Sequence, residues 1–265
     1  MEFLDYVRSG SKSVGGWLSR VDGQLFLEIL NYQRERGVAG AVAEIGVHHG
    51  RSFIALCLGL ANDEKAYAID VFEDQAKNLD RSGLGDRAQF EGNLARFGID
   101  LDKVVIDARG SDEVAPKDIL SAVGEVRFFS VDGGHWREIV GSDLRLAASV
   151  LSERGVIALD DFMRPEWPDV SLGLFDWFEN SDKSIVPYAI GFNKLYLCRK
   201  QYVAHYQSVV GTDFLRSFQS KTYNFLGVEV PVFQTYQLPE WGRRDRLLAY
   251  LRLYHPDFYA RFRRH

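Results

Sequence analysis

The chain has 265 residues, of which 46% are hydrophobic and 26% are charged, so it can bury the core of one α/β domain with additions. This composition is ordinary for a soluble globular protein. The formal net charge of −5 argues against nucleic acid as the default partner.

Cysteine usage and the apolar runs exclude several other classes of protein. Cys57 and Cys198 are isolated in apolar segments, which favours reduced core residues over a disulfide or a zinc site. The N-terminus lacks a basic segment followed by an apolar one, so no secretory signal is predicted. No apolar run reaches the ~20 residues of a membrane span. We therefore expect a cytoplasmic protein without a membrane span.

Residues 1–39 are predicted to form an N-terminal helical cap. Asp22 could N-cap a helix whose apolar face includes Leu25 and Phe26 and which ends near Gly37. Trp17, in the turn before it, is expected to pack on this helix. The less favoured alternative places Trp17 at the mouth of a substrate site.

The segment from Gly40 to Ser52, GAVAEIGVHHGRS, predicts a strand, a tight loop and the start of a helix. Such a loop presents backbone N–H groups and the positive end of a helix to an anionic or polar ligand. A side chain at Gly46 or Gly50 would hold the ligand away from the backbone. His48 and His49 lie inside the loop, where they either touch the ligand or remain solvated.

The spacing within and after this loop indicates the kind of ligand. Glu44, Gly46 and Gly50 do not complete the G-x-G-x-x-G fingerprint of dinucleotide-binding proteins, because the third glycine is missing. A second predicted strand, residues 66–70, ends in Asp70. This acid lies 20 residues past Gly50, close to the spacing at which an acid binds the ribose hydroxyls of a nucleoside. Because the third glycine of the dinucleotide fingerprint is absent, a nicotinamide-dependent dehydrogenase is the least favoured hypothesis.

Strands and helices are predicted to alternate from the second strand to residue 198. Residues 72–85 are polar and are expected to form a mobile loop over the ligand site. Helices are predicted at 87–97, 112–123, 136–152 and 170–178. Further strands are predicted at 103–106, 126–131 and 155–159, with a hairpin-like pair at 184–190 and 194–198. This alternation predicts an α/β fold with a parallel sheet.

Three acids follow two of these strands. Asp132 ends the fourth strand, and Asp160 and Asp161 end the fifth. In an open α/β sheet the carboxyl ends of adjacent strands lie side by side, and ligands bind there. These three carboxylates would therefore be close together and would repel one another unless a cation such as Mg²⁺, Mn²⁺ or Ca²⁺ lay between them. Alternatively, the acids cap the turns and the helix that follow. His135, at the start of that helix, could be a base or simply a hydrogen-bond partner of an acid.

The loop and its distant acid, Glu44-x-Gly46-x-x-x-Gly50-x-Ser52 followed by Asp70, resemble motif I of the class I S-adenosylmethionine (SAM)-dependent methyltransferases. The resemblance covers residues 40–198. It implies a Rossmann-like, seven-stranded, mostly parallel sheet with helices on both faces and an antiparallel last strand. It also implies the contacts of SAM: the methionine part on Glu44, Gly46 and Gly50, the carboxylate near Ser52, the ribose on Asp70, and the adenine near Ser111, with Asp107 or Ala108 sharing that role.

Residues 126–162 resemble a narrower group, the metal-dependent sugar O-methyltransferases of the macrocin and mycinamicin type. In that group one strand ends D-G-x-H and the next ends D-D, as here. The resemblance implies a divalent ion, Mg²⁺ by preference, held by Asp132, Asp160 and Asp161, with Asp132 also beside the cofactor. It gives His135 the role of general base.

These residue types fit methyl transfer to a hydroxyl group. A divalent ion would stabilise the alkoxide, and His135 could remove the proton near neutral pH. We predict an O-methyltransferase whose small-molecule acceptor is a sugar or a small polyhydroxylated metabolite. The alternatives are a metal-independent methyltransferase, a related Fe²⁺-dependent hydroxylase and a non-catalytic SAM-binding protein.

Residues 199–265 match no family and are expected to form a C-terminal extension, either a lid or an oligomer contact. From Trp241 onward there are seven arginines and two aspartates. A solvated face or a subunit interface is favoured there over a site for an anionic substrate. The oligomeric state is left open.

Overall fold

The computed structural model describes residues 1–78 and 81–234. Within these ranges nine strands form one sheet: β1 (Ala41–Ile45), β2 (Ala66–Ile69), β3 (Val104–Asp107), β4 (Val126–Val131), β5 (Leu151–Leu159), β6 (Ile185–Ile190), β7 (Leu195–Arg199), β8 (Gln219–Phe225) and β9 (Val228–Phe233). Their order across the sheet is β3-β2-β1-β4-β5-β7-β6-β9-β8.

Strands β1 to β5 are parallel to one another, and β7 is antiparallel to both β5 and β6. This confirms the predicted α/β sheet with a reversed closing hairpin. The implied count of seven strands is wrong for the described residues. A hairpin of β8 and β9 extends the sheet, because β9 pairs with β6 through Ile190 and Val232.

Nine α-helices within the described ranges cover the sheet: α1 (Phe3–Arg8), α2 (Arg20–Glu35), α3 (Arg51–Leu58), α4 (Arg87–Arg96), α5 (Pro116–Val123), α6 (Arg137–Val150), α7 (Pro168–Asn180), α8 (Val203–Val210) and α9 (Asp213–Arg216). Apolar residues of α1 to α4, α8 and α9 form one core cluster with one face of the sheet. Residues of α5, α6 and α7 form a second cluster on the opposite face. Helices therefore lie on both faces, as the resemblance implied.

Side-chain alternation along the strands sets which polar groups lie together. In β1, Val42 belongs to the cluster on the α2 side, whereas Ala43 and Ile45 belong to the other. Because neighbouring strand residues point to opposite faces, Glu44 shares the α2 side with Val42. The same rule puts Ser130 of β4 on that side, beside Phe128. Glu44 and Ser130, which are paired in the sheet, therefore lie side by side on the α2 face near the carboxyl ends of their strands.

Several local predictions need correction. Asp22 is not the cap of α2: Ser19 accepts the hydrogen bond from the Asp22 backbone N–H at 2.9 Å. Asp22 itself is fully buried, and its carboxylate accepts a hydrogen bond from the Tyr196 hydroxyl at 3.0 Å. The helix predicted at 112–123 is split, because Pro116 starts α5 at its first position after a short 3₁₀ turn.

The predicted division into three parts, 1–39, 40–198 and 199–265, stays a prediction. Helices α1 and α2 contribute to the same core cluster as α3 and β1. Both cysteines are free and buried, as expected. None of the helices in the described ranges is long and apolar enough to cross a membrane. The arginine-rich segment from Trp241 lies outside the described residues.

Candidate active site

The loop after β1 turns sharply at two glycines in the left-handed region. Gly46 has φ of +83°, and a Cβ there would lie 1.7 Å from the backbone oxygen of Asp132. Gly50 has φ of +93°, and its Cβ would lie 3.1 Å from the Phe90 ring. We expected the ligand to demand both glycines. The structure gives a different reason: the chain itself, at β4 and at α4, approaches both positions closely.

A cavity of about 660 Å³ opens at the carboxyl ends of the parallel strands. Most of the residues predicted for the site line it: Gly46, Ser52, Asp70, Ser111, Asp132, His135, Asp160 and Asp161. Glu44 and Gly50 are not among the lining residues. Glu44 lies buried in β1 close to Ser52 and Ser130, and burial raises the pKa of its carboxyl to about 7. Its predicted contact with SAM stays a prediction.

Asp70 follows β2 and has a carboxylate oriented by the backbone. Its Oδ2 accepts a hydrogen bond from the His48 N–H at 2.7 Å, and its Oδ1 accepts one from the Phe72 N–H at 2.7 Å. One bond therefore comes from the loop after β1, and the other from the chain just beyond Asp70 itself. An oriented carboxylate at this place can accept hydrogen bonds from vicinal hydroxyls, the role predicted for Asp70 towards ribose.

Beyond β3, the predicted adenine residues separate into two groups. Asp107 does not line the cavity; it forms a bidentate ion pair with Arg109 at 2.7 and 2.6 Å and accepts a hydrogen bond from the Tyr67 hydroxyl. Ser111 does line the cavity. Behind it lies Asp143 of α6, which is 1% exposed. Burial raises the pKa of Asp143 to about 7, although the nearby Ser111 hydroxyl lowers it.

Asp143 is expected to make the protein less stable as the pH rises. Its pKa is about 3.8 when unfolded and about 7 when folded, so the folded state holds the proton more tightly. The free energy of unfolding should fall by up to about 4 kcal/mol between these two pH values and stay level above them. Asp143→Asn removes this slope. Urea unfolding from pH 5 to pH 8 should show a flatter profile and higher stability at pH 8 for this variant.

The exposed Asp102→Asn is the matched control, since it removes a carboxyl from the surface. Its profile should follow that of the wild type. Equal slopes for wild type and Asp143→Asn would contradict the assignment of the pH dependence to Asp143.

The acids at the ends of β4 and β5 meet a buried lysine. Leu159 of β5 pairs with Leu195 of β7, so the residues just beyond the pair, Asp160 and Lys194, lie opposite one another. The Lys194 ammonium is 2.7 Å from Asp160 Oδ2 and 3.5 Å from Asp132 Oδ2. Its side chain is 1% exposed. Two of the three predicted metal ligands are therefore paired with a cation of the chain.

The charges at this cluster follow from burial and proximity. Burial raises the pKa of Asp132, and the adjacent Asp160 carboxylate raises it further. Burial alone would also raise the pKa of Asp160, but the Lys194 ammonium outweighs it and holds that pKa below its usual value. For Lys194, burial lowers the pKa, and the carboxylates of Asp160 and Asp132 more than reverse the effect. Lys194 therefore keeps its charge.

The third acid pairs with the predicted base. His135 Nε2 lies 3.0 Å from Asp161 Oδ2, and the imidazole stacks on the Trp167 ring with 4.1 Å between ring centres. Asp161 has φ of +51°, an uncommon conformation for a residue with a side chain. Such backbone conformations concentrate at functional sites. The histidine is thus held by an acid and an aromatic ring at the edge of the cavity.

The oxygens that would bind the predicted divalent ion already have partners within the chain. Asp160 Oδ1 accepts hydrogen bonds from Asn193 Nδ2 at 2.7 Å and from the Asp161 N–H at 2.9 Å, while Oδ2 contacts Lys194. In the described ranges no group of three or more His, Cys, Asp or Glu side chains is arranged to hold a metal ion. The acids as arranged do not fit a divalent ion.

Sequence reasoning missed Lys194, Asn193 and Trp167, and it favoured the wrong place for Trp17. Trp17 is 68% exposed, lines the cavity and lies 5.6 Å from the His48 ring. The alternative of a place at the cavity mouth is therefore correct. In the sequence, Lys194 is marked only by its place in a polar turn of the predicted hairpin. The antiparallel pairing of β7 with β5, which brings this turn to Asp160, is seen only in the structure.

Comparison with known proteins gives a family match and a set of similar folds. Residues 43–162 match the family model described as a methyltransferase domain. No curated protein sequence matches the chain significantly.

Three solved structures indicate the fold. The O-methyltransferase NovP is 15% identical with a TM-score of 0.57, the match covering 66% of this chain and 79% of that one. The O-methyltransferase from Bacillus cereus, in complex with SAH, is 16% identical with a TM-score of 0.52, over 74% and 89% of the two chains. CalS11, a TDP-rhamnose 3'-O-methyltransferase of calicheamicin biosynthesis, is 14% identical with a TM-score of 0.50, over 75% and 93%.

The family match covers β1 to β5 and the loops that follow them, which are the parts that build the cavity. Helices on both faces of a mostly parallel sheet, with a reversed β7, agree with the fold of these structures. Residues 43–162 of this chain thus match a methyltransferase domain, and the sheet and helices around them have the Rossmann-like fold of class I methyltransferases.

Proposed function

We propose that this protein transfers the methyl group of SAM to a hydroxyl of a sugar or another small polyhydroxylated metabolite, with His135 as the general base. The observation that carries this proposal is the His135–Asp161 pair, which lines the same cavity as the loop after β1 and Asp70. The names of two similar folds, an O-methyltransferase and a TDP-rhamnose 3'-O-methyltransferase, agree with a hydroxyl acceptor.

SAM, when bound, supplies a methyl group on a sulfonium, which is open to in-line attack. The residues of the chain prepare the acceptor. In the tautomer that donates Nε2–H to Asp161, Nδ1 is the basic nitrogen of His135, and we assign to it the removal of the hydroxyl proton. Asp161 fixes the ring and stabilises the imidazolium that results. A bond forms between the hydroxyl oxygen and the methyl carbon, the sulfur–carbon bond breaks, and His135 later returns its proton to water.

Positioning is the second contribution of the chain. The lining side chains of Trp17 and Trp167 offer flat apolar surfaces on which a sugar ring can lie, while Asp70 and Ser111 lie on the side predicted for the nucleoside. Holding two substrates in one orientation can supply several kcal/mol of the barrier. The predicted divalent ion takes no part in this proposal, since the acids do not fit it as arranged.

Methyl transfer is tested with methyl-labelled SAM and a panel of free and glycosylated sugars and catechols. We expect labelled product and an equal amount of S-adenosylhomocysteine, with SAM binding measured first by calorimetry. Binding without transfer to any acceptor would favour the non-catalytic SAM-binding alternative. Oxygen uptake in the presence of Fe²⁺ would favour the hydroxylase. Absence of SAM binding would contradict the proposal itself.

A small-molecule acceptor, a cytoplasmic location and an open oligomeric state stay predictions. The same holds for the use of residues 199–265 as a lid or an oligomer contact.

A further inference from the structure

The Lys194 ammonium lies beneath the cavity, where a cation was expected. It contacts Asp160 of β5 at 2.7 Å and Asp132 of β4 at 3.5 Å. These contacts are ion pairs rather than well-directed hydrogen bonds. On its other side the Phe26 ring of α2 lies 5.9 Å from Nζ. The positive charge is therefore enclosed between one helix and the ends of two strands.

Lysine and a divalent ion compete for the same oxygens. Mg²⁺ requires oxygen ligands at about 2.1 Å in near-octahedral geometry. An ion that close to Asp160 Oδ2 would lie within a few ångströms of Nζ, where two cations repel strongly. The other oxygen of Asp160 already accepts two hydrogen bonds, from Asn193 and from the Asp161 backbone. Asp161 Oδ2 is in turn engaged by His135.

The position of Lys194 is fixed by the fold rather than by a flexible surface chain. It immediately precedes β7, at the end of a turn closed by the Gly191 N–H, which donates to the Lys194 carbonyl at 2.7 Å. Asn193, one residue earlier, holds Asp160 Oδ1. Consecutive residues of one turn therefore bind both oxygens of the same carboxylate. A lysine placed so firmly supplies a permanent charge to this site.

We propose that Lys194 is the resident cation of this site, so that methyl transfer, the proposed function on which this inference rests, needs no divalent ion. Lys194 is a positioning residue. Its charge holds Asp132 and Asp160 together, and Asp160 fixes the backbone of Asp161, the partner of His135. The metal-dependent reading of the three acids is thereby replaced by an ion pair within the chain.

The test measures Mn²⁺ binding to the SAM-bound protein by electron paramagnetic resonance, which does not depend on turnover. For the wild type we expect no stoichiometric site. Lys194→Met leaves Asp132 and Asp160 facing each other without a cation, so Mn²⁺ should bind at least about tenfold more tightly than to the wild type. Lys194→Arg keeps the charge and should behave as the wild type.

The outcomes separate clearly. A single Mn²⁺ site in the wild type that is lost in Asp160→Asn would overturn the proposal, and this arm stands even if Lys194→Met does not fold. A folded Lys194→Met variant that gains no Mn²⁺ affinity would also overturn it. The expected pattern, no site in wild type and Lys194→Arg but a site in Lys194→Met, supports it.

The proposed function is checked separately in the same samples. SAM affinity and label transfer report on the methyltransferase proposal, and Mn²⁺ binding reports on Lys194. Once an acceptor is found, a chelator should leave the turnover of the wild type unchanged, whereas loss of turnover that Mg²⁺ restores would overturn the role of Lys194. Failure of methyl transfer with the expected Mn²⁺ pattern would reject only the proposed function.

Discussion

Replacing His135 by alanine is expected to lower turnover by about 10²- to 10⁴-fold while leaving the affinity for SAM unchanged. The reason is that His135 pairs with Asp161 and stacks on Trp167, whereas the residues predicted to bind SAM are others, among them Asp70. The loss therefore falls on proton removal from the acceptor. Steady-state kinetics with a responsive acceptor and calorimetry with SAM measure the two quantities independently.

Two variants frame this experiment. His205→Ala removes an exposed histidine of α8 and should change neither quantity. Asp70→Asn should weaken SAM binding, because its carboxylate is predicted to take the ribose hydroxyls. An equal loss of SAM affinity and of turnover in His135→Ala would mean that the histidine is structural, as the alternative reading of the sequence holds.

Gly46→Ala is expected to lower the free energy of unfolding by about 3–5 kcal/mol and to abolish SAM binding. A Cβ at this position would lie 1.7 Å from the Asp132 backbone oxygen, and the residue has φ of +83°. Strand β1 and the end of β4 must therefore move apart, which displaces the loop that is predicted to hold the cofactor. Denaturant unfolding and SAM calorimetry provide the two measurements.

Gly98→Ala separates the steric clash from the backbone cost. Gly98 also has a positive φ, +74°, but a Cβ there would meet nothing within 4 Å. This control should lose only about 1–2 kcal/mol, the cost of the left-handed conformation, and should bind SAM normally. Similar destabilisation in the two variants would show that the approach of Asp132 to Gly46 does not matter.

Local patterns in the sequence predicted much of the fold and of the cavity lining. The loop after β1 and the acid after β2 follow from glycine spacing and strand-end position, and both reach the cavity as expected. His135 and Asp161 lie in the loops after β4 and β5, so their proximity follows from the pairing of these two parallel strands. Each of these inferences needs only a short segment and the general rule for open α/β sheets.

Contacts between segments far apart in the chain could not be predicted in this way. The register of β7 against β5 brings Lys194 beside Asp160. Likewise, the group that approaches Gly46 most closely is the backbone oxygen of Asp132. The cap of α2 is Ser19 and not Asp22, whose buried carboxylate instead accepts a hydrogen bond from the distant Tyr196 hydroxyl. Spacing alone indicated three acids and predicted a divalent ion between them, whereas the lysine that pairs with two of them is visible only in the structure.

Strand β9 bears on how steadily that side chain is held. By pairing with β6 it moves β6 from the edge of the sheet to its interior, so that three strands separate that edge from β7, the strand that begins directly after Lys194. Edge strands fray and expose unpaired backbone groups, whereas interior strands open only with larger parts of the fold. A chain cut after β7 would therefore have β6 as a fraying edge strand, directly beside the strand that follows its buried lysine. The hairpin of β8 and β9 thus keeps the turn that carries Lys194 away from a fraying edge of the sheet.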